Sequence, residues 1–327
     1  MRKNPSVSIV IPCRNSAASL PRLFESILRQ SFKDLEVIVV DDASEHIDRD
    51  IFEGFRSRGL AVTLFASPTR LYTKNARMTG VRKAKGNIIA FADADDALWG
   101  DALGRNVALF ERCNADVVQF RTVCTDTSGN FTGFFPWGDP IAPHLSGRGV
   151  FSAYVGNGTK GHTLWNKLYS RKLWLELTDI AEASRVLRYP EDAYLASLYM
   201  FHARKYIGSE EIGYAYAMMD KRKKESAERS VYHCILLREL LPYFATRGCP
   251  EEDLVLFAAH MTELICIYAG RLSLACCSQG GADLSPCRAA IEQFGIRELI
   301  KAVLVGARVN ANRARKTALS LTTVGTC

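Results

Sequence analysis

Two nearly continuous apolar runs in this chain each end in a cluster of carboxylates, and that arrangement constrains the fold more than any other feature. Leu35 to Val40 leads into Asp41-Asp42-Ala43-Ser44, and Asn87 to Phe91 leads into Asp93-Ala94-Asp95-Asp96. Runs of this kind are strands buried on both faces, the habit of parallel sheets covered by crossover helices. Val7 to Ile11, ended by Pro12, and Ala61 to Phe65 predict two more such strands. Between the first two strands, Leu20, Leu23, Phe24, Ile27 and Leu28 recur at helical spacing, and Lys74 to Lys85 predicts a helix closed by Gly86. The alternation implies an α/β sheet flanked by helices. Ligands of open α/β sheets bind at the carboxyl ends of the strands, so the two acidic clusters are expected to face one crevice.

The pattern changes along the remaining chain. Ala115 to Val123 predicts a further strand, and Thr125 to Gly149, rich in Gly, Pro, Asp and aromatics, reads as a long surface loop able to cover a ligand. From about Glu225 the periodicity becomes helical, with Val231 to Phe244, Glu251 to Leu274, Cys287 to Phe294 and Ile296 to Val309 as predicted helices. This divides the chain into an α/β part, 1–220, and a helical part, 221–327, at the basic run Lys221-Arg222-Lys223-Lys224. A hydrophobic content of 48% with 24% charged residues excludes disorder as the main state. The ten cysteines show no repeated C-x-x-C spacing, which suits reduced thiols in a cytosolic protein and not a zinc site. The apolar run near the N-terminus is too short for a signal peptide, and Leu254 to Cys277 is interrupted by His260, Glu263 and Arg271, so no membrane span is expected.

Asp93-Ala94-Asp95 is the triplet richest in chemistry. Two carboxylates one residue apart at a strand end point to the same side, where they can bind a divalent cation together with a hydroxylated ligand. An isolated pair of this kind also suits a capped turn. The surrounding motifs fall in a fixed order: Val7-Ser8-Ile9-Val10-Ile11-Pro12-Cys13-Arg14-Asn15, Glu36 to Ser44, Asn75-Ala76-Arg77-Met78-Thr79-Gly80, and Gly86 to Asp96. In this order they closely resemble the family 2 glycosyltransferases, over about residues 6–103. Leu164-Trp165-Asn166-Lys167-Leu168-Tyr169-Ser170-Arg171 resembles the W-N-K-L-Y segment of many bacterial members, and Tyr189-Pro190-Glu191-Asp192 resembles their later E-D pair.

The resemblance implies a GT-A fold, a Rossmann-like, mixed and mainly parallel sheet, here followed by a C-terminal helical region. It implies an inverting enzyme of surface-glycan type that moves a sugar from a UDP-sugar to a hydroxyl of a glycan or lipid-linked glycan. Pro12, Arg14 and Asp42 match positions around the nucleotide base, with Asp42 accepting the imide N–H of uracil. Arg14 departs from the usual family Tyr, whose ring stacks on the base; a guanidinium plane can stack as well. Arg77 matches an arginine that neutralises diphosphate charge. Asp95 matches the metal-binding aspartate and Asp93 the partner that helps hold ribose or metal, which implies Mn²⁺ or Mg²⁺. Asp192 matches the general base, Glu191 an acceptor-orienting group or a solvated one, and Trp165, Asn166 and Lys167 match residues near the donor sugar and acceptor.

Other readings stay open on the residues alone. Asp42 also suits a cap or a turn, Asp96 a cap of the following turn, Glu191 and Asp192 a helix N-terminus after Pro190, and Trp165 with Asn166 a packed, capped segment. His162 is a candidate metal ligand or diphosphate contact, against the structural role more usual for a lone histidine. A polyprenyl-phosphate glycosyltransferase shares the early motifs, and a catalytically silent nucleotide-sugar or glycan-binding module would keep the crevice without the chemistry. The net charge of +7 is a mild basic excess, and no nucleic-acid module accompanies it. Arg297, Lys301, Arg308, Arg313, Arg315 and Lys316 lie among apolar residues of the tail, a pattern suited to contact with the anionic inner face of the plasma membrane or to an ordinary solvated helix face.

Overall fold

The computed structural model describes residues 4–135, 137–158, 161–185, 189–218, 228–261 and 264. The chain divides into two compact units, Met1–Lys221 and Arg222–Cys327. The first opens with β1 (Val7–Cys13), α1 (Leu20–Leu28), β2 (Leu35–Asp42), α2 (Arg49–Ser57), β3 (Val62–Ser67), α3 (Tyr72–Lys83) and β4 (Ile88–Phe91). It continues through β5 (Ala97–Leu98), α4 (Leu103–Cys113), β6 (Val117–Thr125), β7 (Phe131–Phe134), β8 (His144–Ser146) and α5 (Gly149–Gly156). It closes with β9 (Lys167–Ser170), α6 (Arg171–Ala183), α7 (Glu191–His202) and β10 (Lys205–Ala217).

The sheet order is β3-β2-β1-β4-β9-β6-β10-β5, with β7 added to β6 and β8 to β10. Strands β3, β2, β1 and β4 are mutually parallel, with Val10 opposite Ile38 on one side and Phe91 on the other. β9 is antiparallel to both β4 and β6, so β6, and with it the parallel β10, runs in the direction of β1. The carboxyl ends of β1, β2, β4, β6 and β10 therefore share one edge, the edge where such sheets bind ligands.

Local chemistry accounts for the helices. α1 carries a proline in its first turn and buries Leu20, Leu23, Phe24 and Ile27 against the sheet. Asp48 caps α2 by accepting the Asp50 N–H at 3.1 Å, and Asn114 ends α4 in the left-handed conformation that asparagine tolerates. α7 is buried from Ala193 to Phe201 on all sides, the signature of a helix inside a layer and not on the surface.

One expectation is corrected. The segment 125–149 is not loop throughout, because it contains β7 and β8. Both are short, and mostly exposed at β7, so neither has the buried alternation that marks a strand in sequence; they form by pairing with β6 and β10. In the second unit, α8 (Glu228–Ala245) covers the expected helix Val231 to Phe244, and residues 251–261 are helical. The rings of Phe244 and Phe257 pack 5.3 Å apart. The rest of the expected 251–274 helix, the two later helices, the basic run 221–224 and the six tail cations lie outside the described residues. No helix among the described residues is long and apolar enough to cross a membrane.

Candidate active site

A cleft of about 410 Å³ opens at the carboxyl edge of the sheet. Pro12, Cys13, Arg14 and Asn15 from the end of β1 form one wall with Asp42 from the end of β2; Arg70, Thr73 and Arg77 enter from around α3, and Asp93, Ala94, Asp95 and Glu191 complete it. The volume is that of a small-molecule site. Asn15, Ala43 and Tyr72, in the turns around this cleft, take φ of +51°, +54° and +63°. Such strain in non-glycine residues gathers where a site imposes its own backbone geometry.

Asp42 has two roles in this wall. Its Oδ1 accepts the backbone N–H groups of Leu71 and Tyr72, capping α3, while its Oδ2 faces the Arg70 guanidinium at 3.3 Å. The capping seen as an option in the sequence is therefore made, and it fixes the carboxylate at the cleft. Arg14 is exposed and donates from Nε to the Ala43 carbonyl at 3.4 Å, which ties the β1 turn to the β2 turn. Burial, with Asp41 beside it, pushes the Cys13 thiol up to about 12, which disfavours the thiolate.

Arg77 is the electrostatic centre. It is 3% exposed, donates to Asp93 Oδ1 at 2.9 Å and reaches Glu191 Oε1 at 3.5 Å. Burial works against its charge, but Asp93, Glu191 and Asp192 together hold the proton on it more firmly than usual. Its Nε has no hydrogen-bond partner among the described residues. Burial pushes the carboxyls of Glu191 and Asp192 up, Arg77 opposing the rise in both. Both begin α7, so the helix N-terminus expected after Pro190 is present. Glu191 stands on the cleft wall; Asp192, next to it, accepts the Ala193 N–H at 3.2 Å.

The acidic turn is held from below. The Asp93 N–H donates to the Tyr214 hydroxyl at 3.0 Å, and that hydroxyl donates to Asp96 Oδ2 at 2.8 Å. Asp96 Oδ1 accepts the Ala217 N–H at 2.8 Å. Asp96 thus clamps β10 to the turn and does more than cap it. Asp93 and Asp95 are left half-buried at the cleft. They present hard oxygen donors of the kind a divalent cation takes; among the described residues no three His, Cys, Asp or Glu side chains gather into a metal cluster.

The structure does not bring Trp165, Asn166 and Lys167 to this cleft. They enter β9, the strand enclosed between β4 and β6, and their side chains are covered. Trp165 stacks on Tyr214 at 4.7 Å, and Asn166 donates to the carbonyls of Phe120 and Gly138 at 3.2 and 2.9 Å. Lys167 donates to Asn166 Oδ1 at 2.9 Å and to Thr163, while burial draws its ammonium down to about 7 against the pull of Asp192. His162 lies with its ring 5.4 Å from Tyr154, away from the cleft wall. Sequence reasoning missed Arg70 and Tyr214. Arg70 carries a weak signal, a cation just before a helix that follows a strand; Tyr214 carries none, because its partners stand more than a hundred residues away.

Comparison with known proteins agrees with this geometry. Residues 8–172 match the family described as Glycosyl transferase family 2, a segment that holds the whole cleft wall except Glu191. The chain is 36% identical over 150 residues to the amylovoran biosynthesis glycosyltransferase AmsB of Erwinia amylovora, covering 44% of this chain and 50% of that protein. It therefore spans about half the length of that relative. S. aureus TarS 1–349, crystallised with UDP, superposes with a TM-score of 0.57 at 21% identity, covering 81% of this chain and 71% of TarS. The mannosyltransferase PcManGT of Pyrobaculum calidifontis, crystallised with GDP-Man and Mn²⁺, gives a TM-score of 0.51 at 16% identity, covering 96% and 87%. These likenesses show a shared GT-A fold. With the family model matching half of its length, the chain belongs to glycosyl transferase family 2, a family of sugar-transferring enzymes.

Proposed function

We propose that the protein transfers a sugar from a UDP-sugar, with inversion and with the help of a divalent cation, to a hydroxyl of a glycan or lipid-linked glycan in surface polysaccharide synthesis. The observation that carries this reading is the cleft itself, which is lined by Asp42, by Asp93 and Asp95, and by the buried Arg77 paired with Asp93 and with Glu191 at the start of α7. Asp42 Oδ1 accepts from two backbone donors and, among the described residues, Oδ2 faces Arg70 alone, so Oδ2 keeps a lone pair for an imide N–H such as that of uracil. UDP in the TarS crystal and the amylovoran role in the name of AmsB support the donor and the pathway class.

Asp95 and Asp93 would hold Mn²⁺ or Mg²⁺, and the paired hard oxygens at the cleft suit either ion. When bound, such an ion neutralises the negative charge that builds on the departing diphosphate. Arg77, paired with Asp93 at 2.9 Å and with Glu191 at 3.5 Å, holds the Asp93 side chain in place at the cleft. Asp192 takes the proton from the acceptor hydroxyl as its oxygen bonds to the anomeric carbon and the bond to the diphosphate breaks. A second reading makes Glu191 that base, favoured by its place on the cleft wall.

Calorimetry with a panel of nucleotide-sugars, with and without Mn²⁺, on wild type and Asp95→Ala tests the donor site. Metal-dependent binding of one UDP-sugar, lost in the variant, is expected; absence of binding to every member sinks the assignment. Asp192→Asn is expected to lower transfer by a factor of at least about 100 while UDP binding stays, since general-base catalysis contributes roughly 10²–10⁴-fold. If Glu191→Gln shows that loss and Asp192→Asn does not, the base is Glu191.

A further inference from the structure

Beside the cleft, the hairpin of β6 and β7 exposes rings that the fold has no need to expose. Phe131, Phe134 and Trp137 are 52%, 54% and 53% exposed along one short segment. They are held in place: Phe131 and Phe134 pack edge to face at 5.6 Å, Trp99 approaches Phe131 at 6.5 Å, and Trp137 packs at 5.7 Å on Phe135. Phe135 is itself seated on Trp165 at 5.2 Å. Aromatic rings clustered in solvent on a rigid base mark a binding surface.

The hairpin grows from the carboxyl end of β6, the edge that carries the cleft. Arg22 joins the two, donating to the Asp95 carbonyl and, at 3.4 Å, to the Thr127 carbonyl in the hairpin turn. Charge selects the occupant. Between residues 117 and 147 the single Lys or Arg is Arg121, and its guanidinium is spent over the Phe134 ring at 5.1 Å and on Asp139 at 3.1 Å. Asp139, an exposed carboxylate, and Asp126, half-buried and accepting from Ser128 and Asn130 in the hairpin turn, flank the rings. An anionic membrane needs a basic rim that is absent from this segment, whereas a pyranose offers apolar C–H faces to the rings and hydroxyls to the carboxylates.

We propose that Phe131, Phe134 and Trp137 form the platform on which the acceptor glycan rests, feeding its terminal hydroxyl toward the acidic turn; this deepens, and rests on, the glycosyltransferase reading above. The test uses the full chain and saturation-transfer NMR with glucose-, galactose- and N-acetylglucosamine-based tetrasaccharides. At least one is expected to bind the wild type, and the triple variant Phe131→Ala, Phe134→Ala, Trp137→Ala is expected to bind it at least tenfold more weakly. UDP affinity, measured on the same samples, stays unchanged and reports that the variant is folded, and Phe134→Tyr, which keeps the ring, retains tetrasaccharide binding. No tetrasaccharide binding by the wild type, or equal binding by wild type and triple variant, overturns the platform. So does a variant that instead loses co-sedimentation with phosphatidylglycerol–phosphatidylethanolamine vesicles. Tetrasaccharide binding through the hairpin by a chain that binds no nucleotide-sugar would defeat the donor-site reading alone.

Discussion

One hydroxyl, that of Tyr214, holds the acidic turn in place by accepting from the Asp93 backbone and donating to Asp96. Tyr214→Phe removes both bonds from a buried place, with an expected cost of about 1–3 kcal/mol. The cost depends on pH. Burial, then Asp93, raise the Asp96 carboxyl well above its ordinary value, while its bonds to Ala217 and Tyr214 lower it. A carboxyl raised in the folded state favours folding below its unfolded value near 3.8, and that contribution is lost as pH rises through the folded value. Removing the Tyr214 donor raises Asp96 further, so the variant's deficit is small in acid and widens as pH climbs. Urea unfolding of both proteins across pH 4 to pH 9 checks this, and a deficit that is flat with pH refutes the role given to Asp96. Asp42, Asp93 and Asp95 were legible in the sequence because each sits at a strand end, where topology places it at the crevice, and Arg77 because its motif resembles that of the family. The Tyr214 link was not, since it exists only once β10 is laid beside β6.

Among elements, α3 is the one the site depends on most, for it carries Arg77 and is capped by Asp42. It lies close to β1 because Gly80 has no side chain: a Cβ there would stand 2.2 Å from Val10 Cγ1. Gly80→Ala is expected to destabilise by about 1–3 kcal/mol through overpacking, and to weaken UDP binding as α3 is displaced. Adding Val10→Ala makes room, so the double variant should lose less than the sum of the two single losses by at least about 0.5 kcal/mol. Additive losses in denaturant titrations would show that the close approach is not what Gly80 provides. In the first hundred residues β1, β2 and β4 were readable because they are buried along most of their length, and α1 because one face is buried. By contrast, α2 and β5 were not read, and β3, expected to be a buried strand, is half-exposed at the sheet edge. β10 was not readable, although it is 13 residues long, because Gly208, Glu210, Glu211 and Gly213 break its alternation and its pairing with β6 shifts register between Ser209 and Tyr214. In β7 the exposed aromatics hid a strand behind a loop-like composition.

For the whole molecule, the donor cleft draws its lining from residue 12 to residue 191, and the last strand of the sheet ends at Ala217. Among the described residues, the cleft wall is built from residues up to Glu191, and the partners of Asp96 in the acidic turn, Tyr214 and Ala217, lie on that strand. The fragment 1–221 is therefore expected to unfold cooperatively and to bind UDP within about threefold of the full chain, a difference below about 0.7 kcal/mol. Transfer to a lipid-linked acceptor is expected to fall in the fragment, because the basic residues of the tail are removed while the donor site is kept. Calorimetric UDP titration and a thermal melt of the two proteins decide the first part. A fragment that melts without a cooperative transition, or that binds UDP more than tenfold weaker, would make the helical unit a structural support of the donor site. A fragment with full UDP binding and undiminished transfer to a lipid-linked acceptor would instead take the tail out of acceptor recognition and leave that task to the α/β unit, where the aromatic hairpin stands.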